Sequence, residues 1–326
     1  MKHATLILGL VTAALGLFSL FIGSNPIPVF QALLDRLHDI PSAIAIVLTE
    51  VRLPRTLIAL LAGAVLGLCG AALQGFLHNP LASPGLIGTS GGAAFGAVIA
   101  LYFGFGSGLG VPLAGIAGAL VATWTVYRIA GRDGDTLTLI LAGVAINALL
   151  TASISLLLSL APSPYAVQEI VVWLLGSVAN HGSDDLWLML PGALTGGLLL
   201  MRTRRALDAL TLGEETAASL GVDLMRTRAQ LFAGIALAMG SVVAVTGAIG
   251  FVGLVTPHLL RPLAAHRPGR LLGLSALGGA ALLLAADIGV RLLQRATGAS
   301  IQVGVITALL GAPFFLWLIL RQRSPA

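Results

Sequence analysis

Long apolar segments, separated by short polar or glycine-rich breaks, fill most of the chain. Several are near the length of about 20 residues that a helix needs to cross a hydrocarbon core of roughly 30 Å. Ten segments are predicted to span a membrane, the first at the N-terminus and the others over residues 54–77, 85–103, 110–130, 137–160, 186–201, 229–249, 250–264, 271–292 and 301–320. The pattern therefore predicts an all-α polytopic membrane protein with about ten transmembrane helices per subunit.

The composition assigns the whole chain, 1–326, to a single transmembrane domain. Hydrophobic residues make up 57% of it and charged residues 10%, whereas a soluble domain carries about 25% charged residues. The lipid bilayer is therefore the expected environment, and no nucleic-acid partner is expected. Cys69 is the only cysteine, which excludes an intrachain disulfide and a thiolate metal cluster. The N-terminal segment has no A-x-A-like cleavage site and is predicted to remain as the first span.

Basic residues indicate the orientation of the spans, because Lys and Arg accumulate on the cytoplasmic side. With ten spans and the N-terminus inside, 13 basic residues fall inside and five outside. This division predicts that both termini are cytoplasmic. The five outside residues are Arg36, Arg52, Arg55, Arg291 and Arg295.

Residues 202–228 form the longest polar interruption and are predicted to lie in the cytoplasm. Thr211 and Glu214 have the spacing of a helix-capping pair, which predicts a short amphipathic helix over 214–220 that Gly221 ends. From these residues alone two interpretations stay open, a rigid lever between two spans or an ordinary basic loop.

Other patterns predict packing. Glycines recur within two spans and are expected to let helices approach closely in lipid: Gly63, Gly67 and Gly70, then Gly88, Gly91, Gly92 and Gly96.

Residues 163–180 are predicted to contain a helix too short to cross the membrane, either re-entrant or interfacial. His258, beside Pro257, is interpreted as a hydrogen-bonded structural residue in preference to a haem or metal ligand. Spans 2–5 and 7–10 are hypothesised to be inverted repeats.

Four motifs occur in order along the chain. They are RLPRTLIALLAGAVLGLCGAALQGFLHNPLASPGLIGTSGGAAFG from residue 52, LGEETAASLGV at 212–222, GAIGFVGLVTPHLLR at 247–261 and ITALLGAPFFLWLIL at 306–320. Together they resemble the permease subunits of type II ABC importers, the group that imports cobalamin, ferric siderophores and haem. The resemblance implies a homodimer of this permease in the bacterial inner membrane, two cytoplasmic ATPase subunits and a periplasmic substrate-binding protein.

The resemblance also implies roles for particular residues. Three arginines would dock the binding protein through salt bridges: Arg52, Arg55 and Arg291, with Arg295 able to substitute for Arg291. Residues within 202–228 would couple the permease to the ATPase: Gly213, Glu214, Glu215, Ala218, Leu220 and Gly221. A cytoplasmic gate would be formed by Asn79, Leu81, Thr136 and Leu137. Leu137 departs from the hydroxyl residue expected there in a cobalamin permease.

The predicted function is import of an iron chelate, haem or a ferric siderophore, with cobalamin as the alternative cargo. A P-loop needs a lysine that reaches the nucleotide phosphates. Lys2 is the only lysine, so ATP and Mg are expected on a separate ATPase, and no cofactor, metal or catalytic residue is expected on this chain.

Two other classes of function stay open as alternatives. A proton-coupled secondary transporter would depend on Asp287, the one acid well inside an apolar span. Arg291 lies four residues further on, which favours a simple ion pair near the outer interface. A membrane-embedded enzyme would need paired catalytic groups, and the sequence shows no Ser/His/Asp, HExxH or carboxylate-pair pattern.

Overall fold

The computed structural model describes residues 2–23, 28–38, 40, 42–105, 108–131 and 136–323. All regular elements in these ranges are helical. The α-helices are α1 (Lys2–Phe21), α2 (Val29–Leu37), α3 (Ala43–Ile46), α4 (Leu53–Phe76), α5 (Thr89–Tyr102), α6 (Gly110–Ala130), α7 (Thr136–Ser159), α8 (Pro164–Leu174), α9 (Ser183–Arg202), α10 (Arg204–Leu210), α11 (Glu214–Ser219), α12 (Leu224–Thr246), α13 (Val252–Leu260), α14 (Pro268–Thr297) and α15 (Val303–Arg323). A π-helical turn, Val47–Arg52, joins α3 to α4, and a 3-10 helix, Pro84–Ile87, precedes α5.

Each of the ten predicted spans coincides with a helix, so the predicted all-α, multi-span fold is confirmed. Within the described residues, six helices are long and apolar enough to cross a membrane, or seven when α9 and α10, bent by 42°, count as one span. Helices α5 and α15 are shorter apolar helices, and α13 has nine residues. The predicted short helix between spans five and six is α8.

Helices α4, α12 and α14 form the centre of the bundle. In their most apolar windows 78%, 78% and 67% of residues are buried, compared with 17% in α1 and α7. Helix α4 packs along α14 and also touches α9, α12 and α13. The surrounding helices therefore meet a rigid central layer, and α4 leads directly into the predicted gate.

Small residues on α4 allow this central packing. A Cβ atom built on Gly63 would overlap the backbone of Gly279, and one on Gly67 would overlap the carbonyl of Ser275. Gly70 meets the backbone of Gly253 on α13 in the same way. The predicted packing role of these glycines is confirmed, and close backbone approach replaces the hydrophobic drive that lipid does not supply.

Gly67→Val is expected to lower the free energy of unfolding by about 1–3 kcal/mol, because the added atoms would force α4 away from α14. The measurement is the midpoint of thermal unfolding in a mild detergent. Gly289→Val is the matched control, since that glycine lies on α14 with no atom near its absent Cβ. Equal midpoints for the two variants would contradict the packing role of Gly67.

Candidate functional site

The predicted coupling segment contains α10 and α11, joined by Gly213 in a left-handed conformation (φ 96°). Helix α11 spans Glu214–Ser219, and Gly221, also left-handed (φ 85°), follows it. The predicted short helix is therefore present. The predicted cap is wrong, because the Thr211 hydroxyl donates to the carbonyl of Asp208 at 2.7 Å and Gly213 takes the N-cap position.

This polar segment exposes several large apolar side chains. Ala217 is fully buried, whereas Ala218 and both glutamates at the start of α11 are exposed. Three large apolar side chains are also exposed around the helix: Leu212 at 62%, Leu220 at 63% and Met225 at 55%. We name these three residues the apolar patch. Exposed apolar groups rimmed by charges are typical of a protein-binding surface.

Two contacts connect the coupling segment to the end of α4 and the residues after it. Arg228 lies 4.0 Å from Glu214, measured from Nη2 to Oε1, and its guanidinium lies 5.6 Å from the ring centre of Phe76. His78 bonds through Nε2 to the carbonyl of Leu210, the last residue of α10, at 3.0 Å. Phe76 ends α4, and the predicted gate begins three residues later. The coupling segment therefore contacts the chain immediately before the predicted gate.

The predicted gate residues lie in the turn after α4 and at the start of α7. The side chain of Asn79 accepts from the backbone N–H of Leu81 at 2.9 Å, which closes a turn. Thr136 begins α7, and Leu137 is 62% exposed. The 3-10 helix that follows Leu81 packs against α7, where Asn147 donates to the carbonyl of Gly85.

Sequence reasoning missed Asn147, His78 and Arg228. Asn147 is the one amide side chain in α7, and a lone amide inside an apolar span was an available signal. Arg228 stands in a basic polar stretch and His78 at the break after α4, so neither carried such a signal.

The three arginines predicted to dock a binding protein lie together where α1, α4 and α14 meet. Arg52 and Arg291 are only 5% and 3% exposed. Their guanidiniums bind carbonyls at the end of α1: Arg52 that of Leu20 at 2.7 Å, and Arg291 those of Ser19 and Ile22, both at 2.8 Å. These carbonyls have no partner within the helix, and a positive charge also suits the negative end of its dipole.

Asp287 is fully buried and bonds to two arginines of this group, Arg55 and Arg291. Arg55 donates to its carboxylate at 2.7 and 3.1 Å, and Arg291 donates to the other oxygen through two nitrogens. The ion pair predicted between Asp287 and Arg291 is confirmed. Two guanidiniums stabilise the ionised carboxylate, which is the arrangement of a structural ion cluster.

The remaining three of the five predicted outside arginines are more exposed. Arg55 keeps 17% of its side chain exposed, while Arg36 and Arg295 are exposed. Helix α14 continues beyond the predicted span 271–292 to Thr297 and carries both Arg291 and Arg295. Sequence position alone did not separate the buried arginine from the exposed one.

A cavity of about 440 Å³, which we call the outer cavity, lies between α8, the chain that follows it, the end of α12 and the start of α15. Its polar lining consists mainly of amides, hydroxyls and an indole: Gln168, Asn180, Gln302, Tyr165, Ser177, Thr246 and Trp173. Glu169 and His181 also line it, and its described lining includes no Lys or Arg. Such a surface favours an uncharged ligand rich in hydrogen-bonding groups.

The described residues contain no cluster of three His, Cys, Asp or Glu side chains that could hold a metal ion. His258 packs edge-on against Phe314, with ring centres 6.1 Å apart. Its Nδ1 has no hydrogen-bond partner among the described residues, so the hydrogen bond expected for a structural histidine is not made there.

An all-helical, multi-span membrane permease is the class of protein that this fold defines. The chain belongs to the FecCD transport family, whose profile matches residues 11–321. It is a member of a family of transport subunits, and the predicted family is confirmed.

Relatives and a solved structure agree with this assignment. The chain is 42% identical over 287 residues to the "Cobalamin import system permease protein BtuC" of Halobacterium salinarum, covering 87% of this chain and 76% of the relative. It is 42% identical over 279 residues to the "Vitamin B12 import system permease protein BtuC" of Escherichia coli, covering 84% and 83%. A provisionally assigned metal-chelate type ABC transporter, solved in an inward-facing conformation, superimposes with a TM-score of 0.86 at 32% identity, covering 98% of this chain and 100% of that one.

Proposed function

We propose that this chain is the permease subunit of an ATP-driven importer that carries cobalamin. The observation that carries the proposal is the similarity, over 84–87% of the chain, to relatives named as cobalamin or vitamin B12 permeases. This ranks cobalamin, first considered as the alternative cargo, above haem and ferric siderophores. The importer would work as a homodimer with two ATPase subunits and a periplasmic binding protein, in the bacterial inner membrane with both termini cytoplasmic.

The outer cavity supports this choice of cargo. A corrin ring carries amide groups around its edge, which can exchange hydrogen bonds with the amides and hydroxyls of the lining. Haem carries two propionates and many ferric siderophores are anionic, so both would meet Glu169 without a Lys or Arg side chain from the described lining to balance them.

The coupling segment supports the ATP-driven mechanism. The apolar patch offers a surface for an ATPase subunit, and the contacts of Arg228 and His78 would transmit its movement to the gate at Asn79 and Leu81. No bond of the cargo needs to be broken by this chain. Its work is alternating access, driven by hydrolysis on the partner.

We also propose that the binding protein docks near the arginine cluster. Arg55 and Arg295 would meet acidic groups of the partner first, because they are at least partly exposed. Arg52 and Arg291 would contribute long-range attraction from their buried positions. Complementary charge of this kind mainly accelerates association, so the docking rate should fall as salt concentration rises.

The test is uptake into proteoliposomes that contain this chain with the ATPase and binding protein encoded beside it. We expect labelled cobalamin to accumulate only with internal ATP and external binding protein, and labelled haem and ferric siderophore to stay outside. Vesicles with a hydrolysis-deficient ATPase are the matched control. Selective uptake of haem or of a ferric siderophore would refute the cargo. Uptake by the chain alone under a pH gradient would refute ATP-driven import.

A further inference from the structure

A second cavity, separate from the gate and from the outer cavity, lies where α1, α9, α10 and α14 come together. Its volume is about 330 Å³. Arg204, the first residue of α10, and Arg270, in the first turn of α14, both line it. All these helix ends lie on the side that the arginine count assigns to the cytoplasm.

The walls of this cavity divide into a basic part and an apolar part. Met201 and Leu274 supply apolar surface, and Thr5 of α1 closes one side. Its described lining includes no acidic side chain. Asp208, the acidic side chain one turn after Arg204 on α10, accepts from the backbone N–H of Gly269 at 2.8 Å.

Helix α1, which borders the cavity through Thr5, is itself mostly exposed. Only 17% of the apolar window of α1 is buried, so most of that helix faces outward. Gly273 on α14 also lines the cavity and has no atom within 4 Å of its absent Cβ, which leaves a groove beside the two arginines. A groove of this kind has room for an acyl chain below a charged group.

We propose that this cavity binds the headgroup of an anionic phospholipid, with an acyl chain along the groove at Gly273. The phosphate lies between Arg204 and Arg270, and the chain contacts Met201 and Leu274. Basic pockets between membrane helices on the cytoplasmic side have the charge and depth that such headgroups require. Bound lipid would stabilise the contact between α1 and α10, the helix that precedes α11. The proposed transport steps do not require this lipid.

Native mass spectrometry and thermal unfolding of the full-length chain in neutral detergent test the proposal. Phosphatidylglycerol should stay bound and raise the unfolding midpoint, whereas phosphatidylcholine should not. The double variant Arg204→Gln/Arg270→Gln should bind phosphatidylglycerol about 30-fold more weakly, since each arginine near the surface contributes about 1 kcal/mol. Gly273→Leu should also weaken binding by filling the groove, and the open space around it keeps the fold unchanged.

A matched control separates this site from general charge attraction. Arg128→Gln/Arg226→Gln removes the same charge from exposed residues on the same side, away from the cavity, and should keep the wild-type affinity. Equal weakening in both double variants would overturn the proposal. It would also be overturned if inorganic phosphate alone gave the full stabilisation, because the site would then hold a free anion, or if Gly273→Leu bound the lipid normally.

Discussion

Asp287→Ala is expected to lower the free energy of unfolding by about 3–5 kcal/mol, because it would leave Arg55 and Arg291 without their shared counterion inside the protein. The loss should exceed that from removing a surface ion pair, which contributes at most about 1 kcal/mol. The measurement is denaturant or thermal unfolding in a mild detergent, with cobalamin uptake followed in parallel.

Two further variants make this result specific. Asp287→Asn keeps the size of the side chain and removes its charge, so most of the loss should persist. Asp184→Ala removes an exposed carboxylate at the start of α9 and should change stability by less than about 0.5 kcal/mol. An Asp287→Asn variant as stable as wild type would show that the cluster does not depend on the carboxylate charge.

Arg228→Gln is expected to reduce ATP-driven uptake about 5- to 150-fold, the usual range for loss of coupling between two sites, while the assembly keeps hydrolysing ATP. The substitution removes the contact with Glu214 and the cation–π contact with Phe76 together. Loss of the ion pair should change stability by at most about 1 kcal/mol, since Glu214 is 66% exposed, although Arg228 itself is 14% exposed and its packing on Phe76 is lost as well. The ratio of cobalamin transported to ATP hydrolysed measures the effect.

Arg226→Gln is the matched control for this experiment. It lies two residues away on α12, is exposed, and its backbone N–H bonds to Asp223 whatever its side chain. Its transport ratio should equal that of the wild type. The proposed route from α11 to the gate would fail if Arg228→Gln kept the full ratio, or if both variants lost it equally.

Much of the helical architecture could be predicted because apolar runs have to match the thickness of a bilayer. The same holds for Gly63 and Gly67, whose spacing places both on one face of α4. The short helix α11 was also predicted, from the spacing of Thr211 and Glu214 and from the glycine that follows it, although Gly213 and not Thr211 provides the N-cap. These features depend on local spacing, which a sequence displays directly.

Contacts between distant segments could not be predicted in this way. The spacing of Arg291 and Asp287 revealed their ion pair, but Arg55 meets the same carboxylate from 232 residues away. Thr211 had the correct spacing for a cap, yet the nearby carbonyl of Asp208 competes for its hydroxyl. Burial of Arg52 follows from the way α1 packs across it, which no local pattern records.

The bonds of Arg291 to the end of α1 can form only late in synthesis. Helix α1 leaves the ribosome first, but Arg291 binds it from 272 residues further along the chain. The seam between α1 and α14 therefore closes only when synthesis is almost complete, and loop closure over such a distance has to precede the contacts that reward it. Until then the carbonyls of Ser19 and Ile22 lack their guanidinium partner, and the end of α1 is held by the bond of Arg52, 32 residues away, to the carbonyl of Leu20.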